Sequence, residues 1–468
     1  MTKGSPSQRF QMSENDDDHV DTILAQDMSR LSFQVRNEIQ EEIHGVHSMA
    51  PKETELTVKD ALLRMEESIR MLPTAEKQAY MDAQAMSGEV FVLTDEMRLS
   101  FLRADLFDTS KAASRYTKYL NLLSKYFGPV ALQRQLRYSD LTKKEQDLCR
   151  IGNAQILPSR DRSGRLIIVH HGSMGGEDVD GSMILRIVLY VYSVIAEDVD
   201  TQRHGAVGIF VGERKHFERY NRGSQDYQTD LSTFTKNLPV RLSAMHLCLP
   251  EGPLFTLLKT FLVVVLTKGD GRVRMKFYSG GLHSLEIQYK LMSFGIPIQE
   301  LPVTHSGTLK NKNHAQWIKV RKLVDQERAR EPNGVLSFVQ YPGVHDVLFR
   351  RGGIHSQVGN ILFQESMLRE LSAYNAAHHH SEKREIRDRI IKAIEMKGGR
   401  FLEYNKEYGV WTEIIDPIVI HNKVVSAIND LHRMVSAKKQ IQESRCDTED
   451  FLGESKRQRL MKNDGCRL

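Results

Sequence analysis

The segment Leu254–Gly280, LFTLLKTFLVVVLTKGDGRVRMKFYSG, constrains the fold of this chain more than any other. It reads as an apolar helix, a charged glycine-containing turn and a strand. Lys259 is the only charge in the helix body. A helix that is apolar on every side must be buried in a core or lie against lipid. This one falls short of the roughly 20 apolar residues that span a bilayer. The expectation is a helix that fills an α/β core or closes over an apolar ligand.

The rest of the chain is ordinary enough to let that helix decide. Its 468 residues suffice for two or three domains, at roughly 100–200 residues each. Apolar content of 40% and charged content of 27% are those of a soluble globular protein. A net charge of +5 is too small to imply a nucleic-acid partner. Cys149, Cys248, Cys446 and Cys466 form no C-x-x-C pair. That argues against a disulfide scaffold or zinc ribbon and for a reducing, cytoplasmic setting. The first residues lack the apolar stretch of a secretory signal.

Residues 1–50, with the run Glu14-Asn15-Asp16-Asp17-Asp18, read as a disordered acidic tail with room for a short helix around Ile23–Ile43. Residues 51–150 read as a helical lobe. Ala61, Leu62, Met65 and Ile69 recur at helical spacing, Asp95 is read as a cap, and Asp108-Thr109-Ser110 starts a further helix. Residues 151–312 alternate strands near Leu166–Val169, Ala206–Val211, Ser243–Leu249 and Val273–Tyr278 with helices, the signature of a parallel or mixed sheet. Residues 313–334 read as a charged linker, helical in part, 335–437 as a compact unit of helices and a hairpin, and 438–468 as a disordered tail. The predicted class is α/β: a helical N-terminal lobe, a mixed or parallel sheet domain, and a separate small α+β C-terminal domain.

Over residues 97–310 several short motifs occur in a telling order. They are Phe101-Leu102-Arg103-Ala104 with Phe107-Asp108 and Lys111-Ala112, then Asp161-Arg162-Ser163-Gly164-Arg165, then Leu238-Pro239-Val240-Arg241, then the apolar helix. In this order they resemble the CRAL-TRIO family of lipid-binding and phosphatidylinositol-transfer domains. The resemblance implies a sheet forming one wall of an apolar pocket, and a gate helix that closes the pocket and opens at a membrane surface. It implies a pocket lined by Ile187, Tyr190, Val191, Ile209, Met245, Leu247, Phe255, Leu258, Phe261 and Leu262. Headgroup candidates are Arg272, Arg274, Lys276 and Tyr278, with Arg272, Arg274 and Lys276 alternating on one face of a strand-like run. The glutamate of the family's "YPER" turn is replaced here by Val240, which puts inositol-lipid specificity in doubt.

Asp346-Val347-Leu348, Arg351-Gly352-Gly353, Gly359-Asn360, Gly398-Gly399-Arg400-Phe401-Leu402 and Trp411 resemble a domain of unknown function common in diatom proteins. Arg350 stands where that family usually has a glycine.

Plainer readings stand beside these. The apolar helix serves equally as core, and the basic run as a solvated strand edge. His378-His379-His380 point in different directions on a helix, so no metal site is expected. Neither G-x-S-x-G, G-x-x-x-x-G-K-[ST] nor H-E-x-x-H occurs, so neither catalysis nor a cofactor is expected. Residues 336–437 carry 13 Lys and Arg against 12 Asp and Glu, too balanced for strong DNA binding.

The expected function is therefore non-enzymatic lipid binding or transfer, with a lipid ligand, a transient membrane surface and an unidentified protein partner of the C-terminal domain. The alternative is a regulatory protein with a vestigial lipid fold. The ending Cys466-Arg467-Leu468 resembles a peroxisomal signal, and Lys456-Arg457-Gln458-Arg459 a nuclear-import motif.

Overall fold

A computed structural model describes residues 16–171, 179–214, 218, 223–267, 269–330, 338–339, 342–349 and 357–435. Glu14-Asn15, the Ser173 turn, Arg351-Gly352-Gly353 and the tail from residue 436 lie outside the described residues. The chain divides into two compact units: Met1–Val344 with Asn405–Val410, and His345–Tyr404 with Trp411–Leu468.

In the first unit the expected acidic tail is instead a pair of helices, α1 (Asp16–Ser29) and α2 (Phe33–Ile43). Ser32 caps α2 by accepting a hydrogen bond from the Val35 amide at 3.2 Å. The few apolar side chains are well used: Val20, Ile39 and Ile43 are all buried. Composition underrates such a segment because its acidic residues are paired with distant cations.

The helical lobe follows as α3 (Glu55–Met71), α4 (Gln78–Gln84), α5 (Asp95–Ala104) and α6 (Thr109–Phe127), then the short α7 (Val130–Gln133) and α8 (Lys143–Ile151). Asp108 caps α6 as its sequence suggests, through the Lys111 amide at 3.0 Å. Thr94, not Asp95, caps α5, through the Met97 amide.

The sheet runs in the order β1 (Ala154–Ile156), β2 (Leu166–His171), β3 (Ala206–Val211), β4 (Leu242–Leu249) and β5 (Met275–Ser279). β1 is antiparallel to β2, and all other pairs are parallel. The crossovers are α9 (Gly181–Ile195) with α10 (Val199–His204), then α11 (Gln225–Lys236), then α12 (Pro253–Thr260).

Side chains alternate across this sheet, with one register shift where Ala206 pairs with Leu242 and Val207 with Ala244. Leu166, Ile168 and Ala206 pack with the helical lobe and α9. Leu247, Leu249 and Met275 share that face with α12. Ile167, Val169, Val207, Ile209, Val211 and Ala244 point the other way, onto α2 and α13 (Leu285–Ser293).

The predicted linker is a 19-residue helix, α14 (Lys312–Arg330). Trp317, Ile318 and Val324 are buried, and the fully buried Arg321 donates to Glu197 at 2.9 Å. The segment reads as a linker in sequence because the partner of Arg321 lies far away along the chain.

The second unit holds a three-stranded sheet, β6 (Val347–Phe349), β7 (Phe401–Asn405) and β8 (Val410–Glu413). Around it lie α15 (Val358–Ala376), α16 (His380–Glu395) and α17 (residues 417–435). β6 and β7 are parallel, a pairing the sequence reading did not anticipate. Val347, Phe363, Ile390, Ile394, Phe401 and Val424 form its core. Among the described residues no helix is long and apolar enough to cross a membrane.

Candidate ligand-binding cleft

The Asp161-Arg162-Ser163-Gly164-Arg165 turn is built by one carboxylate. Asp161 Oδ1 accepts from the backbone amides of Ser163 at 3.0 Å and Arg165 at 2.7 Å. Gly164 sits at φ +82°, where a Cβ is strained. Arg165 closes the turn with Nε on Asp161 Oδ2 at 2.7 Å. Its guanidinium also donates to the main-chain carbonyls of Glu42 and, at 3.3 Å, Ile43. Those carbonyls belong to the last turn of α2, where the Glu42 carbonyl also accepts from the Gly45 amide at 3.0 Å.

The Glu42 side chain completes the cluster. Arg241 Nη1 donates to Oε1 at 2.6 Å, and Arg274 Nη1 to Oε2 at 2.5 Å. Arg274 also donates to the Ser243 carbonyl at 3.0 Å. Glu42 is only 1% exposed. Burial alone raises a carboxyl pKa, but the charges of Arg241 and Arg274 outweigh it and hold this one below its ordinary value. Burial pushes Arg241 the other way, downward, aided by repulsion from Arg274 and Arg165 and opposed by Glu42. Three guanidinium groups therefore share two carboxylates, Asp161 and Glu42. Arg241 Nε, also buried, finds no protein acceptor.

Beside this cluster opens a cleft of about 780 Å³. Leu106, Leu238, Val240, Leu242 and Met245 supply apolar walls, and Lys111, Arg115, Lys236, Arg241 and Arg274 supply cations. Asp105 and Asp108 are the acids on its lining, and Asp105 is held by Arg115 at 2.6 Å. The size lies within the roughly 300–1,000 Å³ of small-molecule sites.

The residues expected to line one pocket are placed in three environments. Ile187, Tyr190 and Val191 of α9 pack into the helical-lobe core. Ile209 faces the opposite side of the sheet. Met245, Leu247, Phe255, Leu258, Phe261 and Leu262 belong together in the cluster under the apolar helix, where Leu258, Phe261 and Leu262 are buried. Of the ten, Met245 alone lines the 780 Å³ cleft. The apolar helix changes character midway: α12 ends at Thr260, and Phe261–Leu266 is a wider π-helical turn. Such turns are frequent at functional sites.

The headgroup candidates also separate. Arg272 and Arg274 lie in a 3₁₀ turn, Gly269–Arg274, before the strand begins. They therefore do not share the face that strand alternation predicted. Arg272 caps the π-helical turn, donating from Nε to the Val263 carbonyl at 2.8 Å and from Nη2 to Thr267 at 3.2 Å. Its Nη1 reaches Asp27 of α1 at 3.1 Å. Lys276 donates to Gln40 of α2 at 3.0 Å. Tyr278 bonds His246 Nδ1 at 2.9 Å.

Glu42 is the residue of this cluster that sequence reasoning missed. The visible signal was an acid at helical spacing between Ile39 and Ile43, on what is otherwise an apolar face.

His246 is fully buried and packs edge-on against Phe294 at 4.7 Å. Burial first, then the charges of Arg165, Lys276 and His44, push its pKa down to about 3. The unfolded value is near 6.5, so the unfolded chain binds the extra proton between these limits. Stability is then fully present above pH 6.5 and falls as pH drops towards 3, by about 1.4 kcal/mol per unit from this group. Denaturant midpoints measured from pH 7 to pH 4 should fall less steeply for His246→Gln than for wild type, the remaining slope coming from other buried histidines such as His170. Equal slopes in the two proteins would refute the assignment.

In the second unit the Asp-Val-Leu, Gly-Asn and Gly-Gly-Arg stretches meet. Asp346 is buried and accepts from the Arg400 amide and Nη2, both at 2.8 Å. The Asn360 side chain pairs like a strand with Leu348, accepting from its amide at 2.8 Å and donating to its carbonyl at 3.0 Å. A Cβ on Gly359 or Gly399 would stand 2.4 or 2.3 Å from the His345 carbonyl oxygen. Residues 346–430 match a family described as a domain of unknown function, DUF6824. The match covers the C-terminal unit alone, and the CRAL-TRIO resemblance of residues 97–310 has no family match behind it. A search of curated proteins found no match to the chain. In this matched segment the described motif residues carry structure: they bring β6, β7 and the start of α15 together. His379 precedes α16 as its cap residue. Among the described residues no group of three or more His, Cys, Asp or Glu side chains gathers as a metal site.

Proposed function

We propose that the N-terminal unit is a non-enzymatic binder of an anionic amphiphile of the phospholipid class. The observation that carries this reading is the 780 Å³ cleft, with Arg241 and Arg274 on one wall and Val240, Leu242 and Met245 beside them. Guanidinium groups suit phosphate because they bond its oxygens bidentately. Each acyl CH₂ removed from water adds about 0.8 kcal/mol, so the apolar wall supplies affinity and the arginines orientation. The apolar helix lies against the same sheet face, and its cluster with Leu247, Leu249 and Met275 is the natural place for acyl chains once it moves. Transfer between membranes, peripheral docking and a protein partner for the DUF6824 domain are parts of this proposal.

The test is native mass spectrometry of the full-length protein after incubation with phosphatidylcholine vesicles containing an anionic phospholipid. One lipid per protein is expected. Met245→Trp, which fills the cleft, should lower the bound fraction at least tenfold while leaving the circular dichroism spectrum unchanged. A folded wild-type protein that stays empty would overturn the reading. It would favour the second one, a regulatory protein in which the cluster beneath the apolar helix is simply core.

A further inference from the structure

The α1–α2 pair grips the β5 edge of the sheet from both faces. α2 packs Ile39 and Ile43 on one face. α1 lays Val20, Ile23 and Leu24 over Leu258, Phe261 and Leu262 on the other. Between them Glu42 bonds Arg241 and Arg274, two residues that line the cleft. We infer that this hairpin is a displaceable strap: the Glu42 carboxylate holds the place of a phosphate between Arg241 and Arg274, and the strap lifts when a phospholipid headgroup takes that place. The inference rests on the binding reading above.

The chemistry permits exchange. A phosphodiester and a carboxylate each bring one negative charge and two acceptor oxygens, so replacement leaves the buried arginines neutralised. Arg241 Nε, unpaired in the strapped state, is a further donor for a phosphate oxygen. The same movement reaches the apolar helix. Asp27 of α1 holds Arg272, and Arg272 holds the Val263 and Thr267 carbonyls at the end of the π-helical turn. Asp21 pairs with Lys259 at 2.8 Å. Lifting the strap would remove Val20 from Leu258 and Phe261 and free Arg272 together, coupling headgroup binding to exposure of the apolar helix. The Asp21 pair is a weak hold because Asp21 is largely exposed; the more buried Asp27–Arg272 pair and the Arg165 bonds to the end of α2 hold the strap beside Glu42, which is the latch at the arginine pair.

The experiment compares wild type, Glu42→Gln, Arg274→Gln and the double variant Asp21→Lys/Asp27→Lys by hydrogen exchange of residues 20–43 and by lipid loading from anionic vesicles. Glu42→Gln should speed exchange in α2 on the order of 100-fold, the usual consequence of breaking one partner of a buried ion pair, and load lipid at least tenfold better than wild type. Anionic vesicles should deprotect residues 20–43 of wild type, and Arg274→Gln should load less. If Glu42→Gln does not fold, the double variant, which leaves the arginine cluster intact, should still load several-fold better. Wild type that loads lipid with folded variants no better would overturn the strap and leave the binding reading standing. Failure of every protein to load would overturn both. Deprotection by inorganic phosphate alone would replace the phospholipid assignment with a soluble ligand.

Discussion

Alanine at Gly359 is expected to destabilise the C-terminal unit by about 3 kcal/mol, at the upper end of what overpacking usually costs. The added carbon would lie 2.2 Å from the Asp346 carbonyl oxygen and 2.4 Å from that of His345. Neither atom belongs to a side chain that can rotate away. Relief requires β6 and the first turn of α15 to separate, which breaks the Asn360–Leu348 pairing that depends on their closeness. Gly398 provides the contrast. It sits at φ +74° with open space around its Cβ position, so alanine there costs only the strain of a left-handed residue, on the order of 1 kcal/mol. Trp411 stacks edge-on against Tyr404 at 5.1 Å and reports on this unit. In a Trp317→Phe background, urea unfolding followed by Trp411 emission should place Gly359→Ala well below Gly398→Ala. Equal midpoints would show that the backbone contact is not what keeps glycine at position 359.

Arg165→Ala should cost the N-terminal unit 3–5 kcal/mol, the range for removing one partner of a buried pair (about 3–5 kcal/mol). Asp161 is 4% exposed and would keep a charge without its counter-ion. The carbonyls of Glu42 and Ile43 would lose the guanidinium at the same time, the Glu42 carbonyl keeping the Gly45 amide. Arg165→Lys is not conservative here, because one ammonium cannot reach Asp161, the end of α2 and Ser243 together. It should recover less than half of the loss. Guanidinium unfolding of the three proteins measures both effects. Lysine restoring full stability would mean that charge alone, and not the fork geometry, secures the turn.

These two positions also show where sequence reading succeeds and where it stops. The Asp161–Arg165 turn was legible because its carboxylate bonds amides two and four residues away. Gly359 and Gly399 were legible as members of the motifs that carry a family resemblance. What they approach, the His345 carbonyl, was not. Helix α14 was legible only as a charged linker, helical in part, because the partner of Arg321, Glu197, is 124 residues distant. The pocket residues were chosen by apolarity, which does not say which face of the sheet a strand residue meets. Ile209 and Leu247 are equally apolar and point to opposite sides.

What the sequence by itself determined is local and periodic. Alternating strands joined by helices, the buried apolar helix, the caps at Asp108 and the two-unit division all follow from spacings of two and 3.6 residues and from turn chemistry within five. Tertiary structure decided the site. Glu42 is 199 residues from Arg241 and 232 from Arg274, and no local pattern specifies which distant charge will neutralise a buried one. That choice is made when the chain packs, because a guanidinium removed from water must find an anion, and folding brings α2 to the sheet edge where two of them wait.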